Sequence, residues 1–219
     1  METEAKLAFK DKDSLYGFAA TDFFRGFCVD PDVPVPVLLE NTYLDKADLD
    51  ISRRGGMIRI RHYAGGGEDS YEFTVKYGGS VSGGMHQRYE WNLKNSNPDF
   101  SISEFIRSVP LEDDSRDVLQ EVFVDIKDDD LTVICSNSFY RTVFELSYEG
   151  SIIEACFDSG FISSSDGLRT DEICELELEL IKGDISNLRS LTDLVMINAG
   201  CVPLEDTKYR RTLAMGMSE

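Results

Sequence analysis

The chain has 219 residues, 41 acidic and 22 basic, for a formal net charge of −19. An apolar fraction of 42% with 11% aromatics excludes a disordered acidic tail, which is poor in both, and the length suits a single domain, residues 1–219, with a real core. The acidic balance speaks against a nucleic-acid or membrane partner, since non-specific binders of either use a net basic surface, and no run approaches the roughly 20 apolar residues of a membrane helix.

At the start of the chain Glu2, Glu4 and Lys6 occupy alternate positions, so in a strand they share one face. The same segment is acidic where a secretory signal would be basic and then apolar. Five cysteines, an odd number with no Cys-x-x-Cys pair, fit reduced thiols and a cytoplasmic location. Residues 14–27 carry a helical pattern, and Val33-Pro34-Val35-Pro36-Val37 is a stiff extended segment. Polar and apolar residues then alternate over 57–63, 71–76 and 88–94, the two-residue period of strands. Gly55-Gly56, Gly65-Gly66-Gly67, Gly78-Gly79 and Gly83-Gly84 punctuate them as turns.

Helices are expected at 102–108 and 113–123, inside a stretch from 99 to 130 that holds 11 acidic and 3 basic residues. There 112–123 reads as a solvated helical face. Strands follow at 131–136, 140–148, 151–158 and 173–181, the middle two joined at Glu149-Gly150. A helix at 186–199, with Ser186 as its candidate N-cap, and a last helix near 205–214 complete the pattern. Roughly eight antiparallel strands avoid open edges most simply by closing on themselves. The expected class is mainly β (α+β): a closed eight-stranded antiparallel barrel with flanking helices.

The charges follow the strand period. Glu175, Glu177 and Glu179 alternate with Leu176, Leu178 and Leu180; Arg59 and Arg61 alternate with Ile58 and Ile60; Arg88 and Glu90 share a face. Lys76 and Arg141 each stand in a mainly apolar strand. A solvated outer sheet face is one reading, but such faces mix Thr, Ser, Lys and Glu, whereas the 175–179 stripe is purely acidic and the 59–61 stripe purely basic. Enclosed carboxylates repel one another unless a cation compensates. Two carboxylate stripes brought together form a hard, oxygen-rich site suited to Mg²⁺ or Mn²⁺. Facing guanidinium and ammonium groups suit phosphate oxygens. A barrel with both sets inside would be a polyphosphate site; surface charge is the alternative.

The ordered motifs resemble those of the CYTH superfamily, the triphosphate tunnel metalloenzymes. Glu2-x-Glu4-x-Lys6 is similar to the family's opening signature, Tyr43-Leu44-Asp45 to its Tyr-x-Asp segment, and Met57-Ile58-Arg59-Ile60-Arg61 to its Leu-Arg-x-Arg strand. Thr74-Val75-Lys76 and Phe157-Asp158-Ser159-Gly160 follow, and Glu175 to Leu180 is the late acidic strand. The segments 82–90 and 173–184 resemble the bacterial inorganic triphosphatases, and the likeness runs from Glu2 to about Arg211. Two departures stand out: Lys46 replaces the usual threonine after the Asp, and the sequence ends before the helical, histidine-rich CHAD domain that often follows in that branch.

The resemblance implies hydrolysis of inorganic triphosphate, or a related triphosphate-containing small molecule, inside a charged barrel with Mg²⁺ or Mn²⁺. Glu2, Glu4, Glu90, Asp158, Glu175 and Glu177 would bind metal, with Glu179 on the same face but far along it. Lys6, Arg59, Arg61, Lys76, Arg88 and Arg141 would cradle phosphates, joined by Lys208 and Arg211 from the last helix. Glu4, Lys6 and Glu177 would be catalytic. Other family activities remain open at this stage: thiamine triphosphatase, class IV adenylate cyclase, RNA triphosphatase or a polyphosphate-binding module without turnover.

Other features are read as structural. His62 and His86 are too few and scattered for a zinc site. Gly65-Gly66-Gly67 lacks the Lys-Ser/Thr of a phosphate-binding loop, and Asp128-Asp129-Asp130 lacks the spacing of a calcium loop. Cys156 and Cys174 read as packing residues, and Trp91 as packing on the barrel exterior.

Overall fold

The computed structural model describes residues 1–64, 70–164 and 168–217. The alternating segments form β1 (Glu2–Ala8), β2 (Val37–Asp45), β3 (Gly56–Ala64), β4 (Tyr71–Ser82), β5 (Met85–Asn95), β6 (Thr132–Tyr148), β7 (Ser151–Ser163) and β8 (Thr170–Lys182). They pair in the order β5-β4-β3-β2-β6-β7-β8-β1, and β1 pairs with β5 to close the ring. All of these pairings are antiparallel. The expected closed barrel is present, with a two-residue β9 (Val202–Pro203) beside β1.

Because the inward positions are charged, the apolar positions point outward and need covering. Helices α1 (Lys12–Ala19), α2 (Asp22–Arg25) and α6 (Ile185–Ala199) cover the side formed by β1 and β6 to β8, burying Leu15, Phe24, Phe157, Leu176, Leu178 and Leu188. Helices α4 (Ile102–Ser108) and α5 (Arg116–Val122) cover β3 to β5, burying Ile58, Phe73, Val75, Phe105 and Leu119. Trp91 packs in this second cluster on the barrel exterior, as expected, and its Nε1 donates to Ser115 Oγ at 2.8 Å. Helix α7 (Lys208–Met217) contacts β6 and β7 and sends Lys208 into the barrel interior.

The structure corrects several boundaries. The helix expected over 14–27 is two helices, because Thr21 is extended and its hydroxyl accepts from Phe24 N at 3.2 Å, starting a new helix. The strands expected at 131–136 and 140–148 are one strand, β6. The polar Asn137-Ser138 break is not a turn: Asn137 is buried and bonds Asn41 and Thr212. The N-cap of α6 is Asp184, which accepts from Ser186 N, and not Ser186 itself. A short helix α3 (Asp50–Arg53) was not anticipated. The turn expected at Gly65-Gly66-Gly67 lies outside the described residues. Among those described, no helix is long and apolar enough to cross a membrane.

Candidate active site

Strand register decides which charges meet. Glu4 stands opposite Glu179, Lys6 opposite Glu177 and Ala8 opposite Glu175 across β1 and β8. Glu2 pairs with Arg88 across β1 and β5, and Lys76 with Glu90 across β4 and β5. On the far wall Asn41 lies opposite Arg61, Tyr43 opposite Arg59, and Arg141 opposite Asp158. The interior they enclose is a cavity of about 400 Å³. Of the residues expected at the site, Glu2, Glu4, Lys6, Arg59, Arg61, Lys76, Arg88, Glu90, Arg141, Glu177 and Lys208 line it. Asp158, Glu175 and Arg211 sit behind this wall. Glu179 lines it as well, so it is not too far along its strand to reach the others.

Sequence reasoning overlooked Tyr63, Glu72, Asn92 and Glu154, which also face the cavity. Each is an alternate position on a strand already carrying a named charge, so continuing the two-residue count would have found them. Cys156 belongs to the same inward face: it stands opposite Glu177, and its Sγ donates to Glu154 Oε1 at 3.3 Å. Of the two cysteines read as packing residues, Cys174 does pack in an apolar cluster. Asp45 took the opposite course. It is fully buried, and its carboxylate accepts from the backbone N–H groups of Ile51 and Ser52, both at 2.9 Å, holding the start of α3 rather than lining the cavity.

The interior carries an ordered ion-pair lattice. Lys6 Nζ lies 2.9 Å from Glu4 Oε2 and also bonds Glu177, so the three residues expected to be catalytic are in one chain of contacts. Lys76 bonds both oxygens of Glu2, at 2.8 and 2.9 Å, and pairs with Glu90. Arg88 reaches Glu2 at 3.2 Å and Glu4 at 2.8 Å. Arg141 forks onto Asp158 at 2.7 and 2.6 Å and touches Glu177 at 2.6 Å. Burial alone would raise Glu4, but Lys6, Lys76 and Arg88 outweigh it and hold its pKa at about 2.

Neutralisation fails in two places. The first is anionic. Glu179 has no ion-pair or hydrogen-bond partner among the described residues, and burial with Glu2, Glu90 and Glu4 nearby pushes its pKa up to about 8. Glu2 is raised to about 7, chiefly by burial, against the pull of Lys76. The second is cationic. Arg61 is 6% exposed and its Nε donates to the neutral Asn41 Oδ1 at 2.9 Å. Burial, Arg59 and Arg141 pull its pKa down. Arg59 pairs only loosely with Glu72, at 3.6 Å, and its buried Nε–H has no acceptor among the described residues. One wall is therefore short of positive charge and the other short of negative charge.

Donor arithmetic separates the cations further. An ammonium has three N–H groups and a guanidinium five. Lys76 spends its donors on Glu2 and Glu90, and Lys208 on Asp158, Glu175 and Glu177. Arg59, Arg61 and Arg141 each keep N–H groups without a protein acceptor among the described residues, so they can grip phosphate oxygens without breaking an existing pair. Among the described residues no group of three His, Cys, Asp or Glu side chains is arranged, as it stands, to hold a metal ion. The donor set on the acidic wall nonetheless fits a hard divalent ion, since four carboxylates, Glu2, Glu4, Glu90 and Glu179, face each other with one lacking any cationic partner.

Comparison with known proteins places this architecture among relatives. The family model described as the CYTH domain matches residues 29–213, a range that starts after β1. An inorganic triphosphatase of Haemophilus influenzae is 26% identical over 184 residues, covering 84% of this chain and 47% of that protein. The chain thus spans about half the length of this curated relative. Among solved structures, a Hippeastrum protein named for adenylyl cyclase and described as having a dominant triphosphatase activity superposes with a TM-score of 0.68 at 17% identity, over 99% of this chain and 97% of that one. A Bacillus halodurans protein named for adenylate cyclase superposes at 0.55 and 18% identity, covering 96% of both chains.

Proposed function

The chain belongs to the CYTH domain family, and from that premise we propose that it hydrolyses inorganic triphosphate to pyrophosphate and phosphate inside the barrel with Mg²⁺ or Mn²⁺. The observation that carries this reading is the double imbalance in one cavity. Among the described residues Arg61 has no anionic partner and Arg59 keeps an Nε–H without an acceptor, while Glu179 has no cationic partner and Glu2 stays raised despite Lys76. A triphosphate bound with a divalent cation supplies both at once, and neither a simple anion nor a bare cation does. The resemblance to the triphosphatase of Haemophilus influenzae supports the substrate class, and five unpaired thiols support a cytoplasmic location.

Glu2, Glu4, Glu90 and Glu179 would hold the divalent ion. When bound, it would neutralise charge on the phosphoryl oxygens and polarise the attacking water. The chain's own residues do the positioning. Arg59, Arg61 and Arg141 direct their unspent N–H groups at the phosphate chain and offset the charge that grows on the departing pyrophosphate. Lys6 is held between Glu4 and Glu177, so its third N–H is aimed by two carboxylates. Arg88, anchored on Glu2 and Glu4, fixes the two carboxylates of β1 in turn. Phosphoryl transfer asks little more of the protein than this placement of fixed charge.

The test is phosphate release from inorganic triphosphate with Mg²⁺, Mn²⁺ or a chelator, against ATP, thiamine triphosphate and long-chain polyphosphate. Metal-dependent release of phosphate and pyrophosphate, with triphosphate preferred, is expected. Cyclic AMP from ATP would assign a cyclase instead, and tight binding without product a binding module.

A further inference from the structure

Resting on the metal-dependent reading above, we infer that Lys208 is a resident cation occupying the place a second divalent ion would need, so that the empty barrel takes up one metal ion, at the Glu2–Glu179 wall. Lys208 Nζ lies 2.8 Å from Asp158 Oδ2, 2.6 Å from Glu175 Oε2 and 2.9 Å from Glu177 Oε1. Three carboxylates from two neighbouring strands converge on one point, and that point holds an ammonium. All three N–H donors of the lysine are matched to an oxygen, which leaves none for phosphate.

The surrounding oxygens are equally committed. Asp158 and Glu177 each accept from Arg141, Glu177 also from Lys6, and the second oxygen of Glu175 from Arg211. This group of carboxylates is balanced by cations from the protein itself, unlike the wall that includes Glu179. The lysine cannot easily leave. It is the first residue of α7 and is 7% exposed. The next residue, Tyr209, packs against Tyr43 with ring centroids 4.9 Å apart, Thr212 accepts from Asn137, and Arg211 holds Asp171 at 2.7 Å. Withdrawal would break these contacts together and strand three buried carboxylates.

The inference places Asp158 and Glu175 in a role different from the metal-ligand role expected from their motifs. They are a seat for Lys208, and Lys208 is a positioning residue rather than a phosphate ligand. The test counts bound Mn²⁺ by electron paramagnetic resonance on the full chain without substrate. The wild type is expected to bind one ion, Lys208→Met two, and Glu2→Gln none. Glu175→Gln is expected to keep one, and it decides the matter if Lys208→Met does not fold. Two ions in the wild type, no gain in folded Lys208→Met, or loss of the ion in Glu175→Gln would overturn the inference while leaving metal dependence intact. No ion in the wild type would overturn both.

Discussion

Glu4 and Glu179 stand directly opposite each other across β1 and β8, yet their carboxyls are in opposite electrostatic states. Burial pushes both upward. Lys6, Lys76 and Arg88 bring Glu4 down to about 2, whereas Glu179 meets Glu2, Glu90 and Glu4 and rises to about 8. One cross-strand pair thus contains both a satisfied and an unsatisfied anion, and the difference lies in which cations the register delivers to each.

That contrast gives a pH dependence with a definite sign. An acid whose folded pKa lies above its unfolded value binds extra protons in the folded state, so its contribution lowers stability as pH rises from about 5 to 8. Glu179→Gln removes the term. Its melting temperature without metal should match wild type near pH 5 and exceed it increasingly toward pH 8. A constant difference across that range would show that Glu179 is not the titrating group. Added Mg²⁺ should shrink the difference at pH 8 by stabilising the wild type.

Arg61 should show a trade between stability and binding. It is a buried guanidinium facing a neutral amide, and an unpaired buried charge opposes folding. Arg61→Met should raise the melting temperature of the empty protein. The same variant should raise KM for triphosphate about 10- to 100-fold, the equivalent of the roughly 1.5–3 kcal/mol carried by a hydrogen bond to a charged group. Steady-state kinetics and a thermal melt on one preparation check both halves. Unchanged KM and kcat would remove Arg61 from the substrate site.

Glu4 should be indispensable for turnover and dispensable for folding. Glu4→Gln keeps the shape of the side chain but removes the charge that anchors Lys6 and Arg88. Mg²⁺-dependent hydrolysis should fall by at least about 100-fold, on the scale of losing a charge-stabilising group at a reaction centre. The far-ultraviolet circular dichroism spectrum should remain that of the wild type. Full activity would exclude Glu4 from the metal site.

Mg²⁺ with triphosphate should also stabilise the fold. At 100 times Kd a ligand that binds only the folded state adds about 2.7 kcal/mol, or roughly 5–10 °C in a domain of this size. Glu4→Gln should lose most of that shift. No shift for the wild type at saturating ligand would count against an interior site.

Asp45 is expected to act on stability alone. It holds the start of α3, and Ser52 on that helix bonds Tyr209 of α7. Asp45→Ala leaves buried N–H groups without acceptors, a loss of about 1–3 kcal/mol. A chemical denaturation midpoint should fall accordingly, with KM little changed.

Much of the molecule was legible in the residues themselves. A two-residue period with charges on alternate positions placed Glu2, Glu4 and Lys6 on one face and Arg59 and Arg61 on another, because a pleated strand leaves no choice in the matter. The same rule gave roughly eight strands, though it counted β6 twice and missed β2 (Val37–Asp45), and closure follows from the need to leave no open edge. Local patterns misled where a polar residue was buried: Asn137 fell in the gap between two expected strands because its inward partners, Asn41 and Thr212, are distant in the chain.

The one-sign stripes and the motif order pointed to a hard-ion and phosphate chemistry, but not to its balance. Which carboxylate is neutralised depends on cross-strand register and on where α7 lays its first residue. Those distances are set between segments more than 30 residues apart, as Lys208 and Glu175 are. Coulomb energy changes steeply over a few ångströms, while alternation along a strand fixes only the face. The tertiary structure therefore decided that Glu179 is unpaired, that Arg61 faces an amide, and that Lys208 fills the space between Asp158, Glu175 and Glu177.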